Sequence, residues 1–244
     1  QLSGGSRAVE LGLISLNGTK SLANIMFILG LATAAGILYM SFLNTGSTSN
    51  AFYSAIIALI GVLVGYFYTA KPIRLSSRYG LGELSIFLSF GPLLTLGTGF
   101  AIANETILLY SNEFYNLLIL GVPIGLLTTN ILFINQYPDH ASDKKVGKNH
   151  LVVLLGKKAS RWIYGLNLIL ALGSLYFIAE NILIGTKQML FLYLLIPIAM
   201  FYSYFLLSGL FKYYNSRKLI KYNIHTIYFH MLFSFIYMII LANF

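Results

Sequence analysis

The sequence predicts an all-α fold, a polytopic transmembrane helix bundle with seven spans, and three observations carry that expectation. Hydrophobic residues make up 57% of the 244 and charged residues only 9%, whereas roughly a quarter of the residues in a soluble domain are charged. Seven stretches approach the ~20 apolar residues that a helix needs to cross a hydrocarbon core about 30 Å thick. With those seven as spans, fifteen of the sixteen Lys and Arg fall on one side and only Lys187 on the other. Adding or dropping one internal span would destroy that asymmetry.

The spans run from Leu22 to Leu43, Ala51 to Tyr68, Leu84 to Ala103, Phe114 to Ile134, Trp162 to Ala179, Met189 to Leu210 and Tyr222 to Phe244. None carries an acidic or basic residue near its middle, which suits lipid. Gly91, Pro92 and Gly97 predict a kink in the third. Short cytoplasmic loops are enriched in Lys and Arg, so residue 1 is expected in the cytoplasm and Phe244 outside. With no linker or fixed-period repeat, residues 1–244 read as a single transmembrane domain. The formal charge of +9 then describes basic loops facing the anionic lipid bilayer rather than nucleic acid. The absence of cysteine excludes disulfides, thiolate metal sites and a catalytic thiol.

Polar residues concentrate in NQYPDHASDKKVGKNHLVVLLGKK, at the cytoplasmic end of the fourth span. Asn135, Asp139 and Asp143 recur every fourth residue and share one stripe if the segment is helical. Pro138 would cost the helix a hydrogen bond and bend it, although membrane helices tolerate Pro where polar neighbours or water satisfy the freed carbonyl, and Gly147 marks its stop. Two carboxylates one turn apart suit Mg²⁺, which is commonly held by one or two carboxylates plus substrate phosphates. The same spacing is also met in a juxtamembrane loop whose charges only face water. A second basic stretch, GYFYTAKPIRLSSRYGLGELSIFLSFGP, offers Tyr68, Lys71, Arg74 and Arg78. Such side chains clamp a diphosphate or simply mark the cytoplasmic face.

NQYPDHASDKKVGKNHLVVLLG resembles the second aspartate-rich motif of the UbiA superfamily of intramembrane aromatic prenyltransferases, N-x-x-x-D-x-x-x-D followed by a basic, Gly-containing loop. SGGSRAVELGLIS and YTAKPIRLSSRYGLGELSIFLSFGPLLTLGT are similar to the branch that prenylates 1,4-dihydroxy-2-naphthoate in menaquinone synthesis. The resemblance implies Mg²⁺-dependent transfer of a polyprenyl group from polyprenyl diphosphate to an aromatic quinone precursor. It implies Asp139 and Asp143 as magnesium ligands with Asn135 at the preceding amide position. Tyr68 and Lys71 match the family's Tyr and Lys pair, although two residues separate them where the 4-hydroxybenzoate enzymes have three. Arg74, Lys148 and Arg7, the last through its GGSR context, are implied diphosphate contacts. Members usually have nine helices, with a first aspartate motif just before the GGSR-like loop. The chain is therefore expected to lack two helices and that motif, and to be inactive alone.

His225 and His230, the titratable histidines of the last span, read as satisfied or interfacial groups or as acceptor-binding residues. Asn130 and Asn167 read as interhelical hydrogen bonds, and Trp162 as an interface anchor. A transporter is the competing class, but transporters place ionisable groups near the bilayer midplane, and this chain keeps them at one rim. A non-catalytic relative is the third reading.

Overall fold

The computed structural model describes residues 8–9, 11–46 and 48–242, and within these the regular structure is helical. The helices are α1 (Leu16–Thr45), α2 (Thr48–Thr69), α3 (Leu81–Phe90), α4 (Pro92–Ile102), α5 (Asn112–Lys145), α6 (Leu151–Asn181), α7 (Lys187–Tyr213) and α8 (Leu219–Ala242), with a 3-10 turn at Leu75–Ser77. Seven segments are long and apolar enough to span a membrane, α3 and α4 together forming the third. The expected span count holds, and so does the kink. Gly91 interrupts the third span with non-helical dihedrals, and Pro92 opens the next helix, a first-turn position where its missing N–H costs nothing.

The helix boundaries depart from the apolar runs for a physical reason. Hydropathy marks where lipid ends, whereas a helix satisfies its own backbone and continues into the interface. So α5 runs on from Ile134 to Lys145, passing through Pro138, and α6 begins at Leu151, before Trp162, with a break at Gly156 (φ 74°, ψ 158°). Ser15, Ser111, His150 and Thr186 each accept an N–H in the first turn of α1, α5, α6 and α7 respectively, which satisfies donors that the helix leaves open.

The chain divides into two compact units, Gln1–Ala58 with Gly97–Ile107, and Leu59–Leu96 with Leu108–Phe244. In the first, buried Asn50 donates to the Glu105 carbonyl (2.9 Å) and accepts from the Ile107 amide (3.0 Å). Ser54 donates to the Gly97 carbonyl (3.1 Å), and Tyr53 packs on Phe100 at 5.3 Å.

The second unit packs α5 against α3, α6 and α8, with α7 against α6 and α8. Its buried centre includes Phe133, Tyr137, Leu168, Leu175, Leu192, Leu206 and Phe233. Lipid offers little hydrophobic drive for helix association, so close packing and interhelical hydrogen bonds must hold the helices. Asn130 donates to the Tyr164 carbonyl (3.1 Å) and accepts from Asn167 (3.0 Å), as the sequence suggested. The Tyr164 hydroxyl meets that of Thr226 at 2.8 Å, and Tyr237 donates to the Leu120 carbonyl at 3.0 Å. His225 and His230 are likewise partnered, by Tyr202 and Thr128, each at 2.8 Å. Many large apolar side chains, among them Ile169, Phe201, Tyr204, Met231 and Phe235, stay exposed, as a lipid-facing surface requires.

Candidate active site

The last turns of α5 gather the polar chemistry of the second unit. Asn135, Asp139 and Asp143 lie on one helix that runs through Pro138, and Gln136, Asp139 and Asp143, spaced i, i+3 and i+7, share one helical face. Asp139 and Asp143 are half-buried. Beyond Lys145 the Lys148 amide bonds to the Asp143 carbonyl (3.0 Å), and Gly147 takes φ 73°, a left-handed conformation that glycine adopts without Cβ penalty. That reversal folds the next loop back on the helix. Lys148 Nζ reaches Asp143 Oδ1 at 2.8 Å, and His150 Nε2 lies 3.1 Å from Oδ2.

The basic stretch before α3 is tied to this loop. The Ser77 carbonyl accepts from the Asn149 amide (3.0 Å) and the Asn149 carbonyl from the Tyr79 amide (2.8 Å), a single parallel bridge. Tyr68 is half-buried in the last turn of α2, Lys71 is exposed, and Arg74 is half-buried at φ 48°. Arg78 folds onto the Pro72 carbonyl at 2.8 Å. Among the described residues, Lys71, Arg74 and Arg78 pair with no carboxylate. Their charge therefore stays available to an anion. Arg7 lies outside the described residues.

The two remaining candidates have partners of their own. Asn135 accepts from Asn223 of α8 at 2.6 Å, so its amide is engaged across a helix interface. Lys148 is taken up by Asp143. Its side chain is 37% exposed against 14% for Asp143, so water reaches the ammonium half of the pair and screens it.

Glu83 is a member of this cluster that sequence reasoning missed. It sits in the first turn of α3, 4% exposed. Its Oε1 accepts from Gln136 Nε2 of α5 and from the Leu151 amide at the start of α6, both at 3.0 Å. One carboxylate oxygen thus joins three helices. A signal was present in the sequence: Glu83 is one of seven acidic residues and stands at the edge of an apolar run, where a charge must find partners. Glu83 Oε2 and Gln136 Oε1 are buried without a partner. Glu83→Gln keeps an oxygen for both donors and removes a charge from a buried position, so it is expected to leave thermal stability unchanged or raise it. Glu83→Ala strands the Gln136 and Leu151 donors and should cost about 1–3 kcal/mol, read as a lower unfolding midpoint in detergent.

Asp139 and Asp143 offer hard carboxylate oxygens, the donor type that Mg²⁺ takes. Among the described residues no three His, Cys, Asp or Glu side chains form a metal cluster. The donor set thus fits a cation that completes its shell with water and phosphate oxygens, as Mg²⁺ does, and not one caged by protein alone.

A sequence profile of the UbiA prenyltransferase family matches residues 6–237. The chain is 31% identical over 172 residues to the 2-carboxy-1,4-naphthoquinone phytyltransferase of Synechocystis sp., covering 68% of this chain and 49% of that protein. It is 30% identical over 112 residues to the 1,4-dihydroxy-2-naphthoate octaprenyltransferase of Bacillus subtilis (46% and 33%). It is 37% identical over 82 residues to that of Escherichia coli (34% and 24%). The chain spans half or less of the length of these relatives. No solved structure matches it at a significant level. With a match over nearly its whole length and seven spans to cross the bilayer, the chain is an integral membrane protein that belongs to the UbiA prenyltransferase family.

Proposed function

We propose that the protein transfers a polyprenyl group from its diphosphate to an aromatic acceptor, 1,4-dihydroxy-2-naphthoate in menaquinone synthesis, with Mg²⁺ held by Asp139 and Asp143. The observation that carries the reading is the pair of half-buried carboxylates on one face of α5, followed by a loop that the Ser77, Tyr79 and Asn149 backbone ties to the basic stretch before α3. The acceptor class is supported by relatives named for naphthoate-type rings. The charge asymmetry supports a site on the cytoplasmic side of the cell membrane.

When bound, the cation supplies electrostatic stabilisation of the departing diphosphate. The chain's own residues do the rest. Lys71 and Arg74 meet phosphate oxygens as cations without a competing carboxylate, and Lys148 moves from Asp143 to the same anion. Tyr68, at the end of α2, offers a hydroxyl to it. Holding the charged head at this rim leaves the apolar tail in lipid, where it is soluble. The allylic carbon becomes cation-like as the diphosphate departs, the electron-rich ring attacks it, and the ring then loses a proton to restore aromaticity.

Offering the whole protein a labelled polyprenyl diphosphate with 1,4-dihydroxy-2-naphthoate or 4-hydroxybenzoate tests the acceptor. Label is expected in the naphthoate product only. Label in the benzoate product only would keep the chemistry and overturn the acceptor.

A further inference from the structure

We infer that His150 is a positioning residue, one that fixes the Asp143 carboxylate so that Oδ1 is the oxygen presented to the metal–diphosphate. The inference rests on the reading of Asp143 as a magnesium ligand. His150 precedes α6, with its side chain 3% exposed. Its Nδ1 accepts from the Val153 amide (3.4 Å), an N–H that it shares with the His150 carbonyl (3.0 Å) in the helix's first turn. A backbone N–H can only donate, so Nδ1 must carry a lone pair. The ring proton therefore sits on Nε2 and points at Asp143 Oδ2, 3.1 Å away. Backbone geometry, rather than solvent, sets the tautomer.

The two carboxylate oxygens of Asp143 consequently have different surroundings. Oδ2 is held from the buried side by a ring that α6 immobilises. Oδ1 faces Lys148, whose exposed ammonium at 2.8 Å is a removable partner. A cation entering at Oδ1 displaces Lys148 and leaves the His150 bond intact, and the carboxylate need not reorient. Hydrogen bonds that orient a ligating carboxylate in this way typically change metal affinity 10–100-fold. The nearby groups on α3 and α5 do not substitute for His150. Glu83 occupies the Leu151 amide and Gln136, and Ser142 donates to the Asp139 carbonyl rather than to Asp143.

Two substitutions separate the roles of the ring. Asn at 150 reproduces the acceptor near Nδ1, and Asn is a strong N-cap, but it is too short to reach Asp143. Gln at 150 places an amide donor near the Nε2 position. The experiment measures Mn²⁺ binding to the whole protein by electron paramagnetic resonance in the presence of inorganic diphosphate, with thermal unfolding alongside. The expected result is wild-type unfolding for His150→Asn with Mn²⁺ affinity lowered tenfold or more, and recovery of most of that affinity in His150→Gln. Affinity unchanged in a folded His150→Asn overturns the inference and leaves His150 as a helix cap. Affinity lost equally in both variants also overturns it. Asp143→Ala is the separate control. Unchanged Mn²⁺ binding there would overturn the ligand assignment itself, a different outcome from any result at position 150.

Discussion

Replacing Asp139 or Asp143 by alanine is expected to lower kcat/KM for prenyl transfer by a factor on the order of 10²–10³ for each, the scale seen when one preorganised group that stabilises transition-state charge is removed. The diphosphate leaves with charge that must be neutralised in a membrane, where the low dielectric magnifies any uncompensated charge. Each substitution removes one of the two carboxylates on the α5 face that are proposed to hold the cation. The protein itself should survive the change. Both side chains are half-buried; the Asp143 pair with Lys148 contributes little, but Asp143→Ala also strands the buried His150 Nε2–H, which costs about 1–3 kcal/mol. A fall in activity of that size in protein that still unfolds cooperatively, with at most a modest drop in midpoint for Asp143→Ala, therefore separates the chemical role from a structural one. Equal activity in either variant would contradict the assignment of that residue.

Leucine at Gly125 or Gly121 is expected to prevent accumulation of folded protein. A Cβ at Gly125 would stand 2.5 Å from the Phe87 carbonyl oxygen, and one at Gly121 would stand 2.5 Å from the Gly91 backbone and Thr95 Oγ1. The atoms met are mainly backbone, so no rotamer change relieves the clash. The α3–α5 crossing would have to open. Thr95 spans the same contact, donating to the Leu117 carbonyl at 2.7 Å. Overpacking a tight contact typically costs about 1–3 kcal/mol, which even Gly125→Ala should show as a lower unfolding midpoint; leucine adds three more carbons to the same gap. Because α3 carries Glu83, opening this crossing also removes the link between the α6 start and Gln136. Gly173 is the control. A Cβ there would meet no atom within 4 Å, so Gly173→Ala should be neutral or gain a few tenths of a kcal/mol from helix propensity. Equal effects at positions 125 and 173 would contradict the close-approach account.

The spans were legible because lipid imposes one requirement, apolar length, and basic loops impose a second, alternation. Helix ends were less legible, since Gln136 to Lys145 are polar and yet helical, a continuation that hydropathy does not register. The aspartate stripe was readable from its four-residue spacing. Its surroundings were not. That Lys148 and His150 return to Asp143 depends on the positive φ at Gly147 and on the cap of α6, and that Asn135 turns to Asn223 depends on how α5 meets α8. Glu83 was hidden for a similar reason: its partners Gln136 and Leu151 lie 53 and 68 residues away in sequence.

The most direct test of the account is the magnesium dependence of label transfer from a polyprenyl diphosphate to 1,4-dihydroxy-2-naphthoate. It compares the whole protein in membranes with a variant carrying both Asp139→Ala and Asp143→Ala. The account predicts product that rises with Mg²⁺, disappears on chelation and is absent from the double variant at any Mg²⁺ concentration. Product that persists in the double variant, or that ignores chelation, would contradict it.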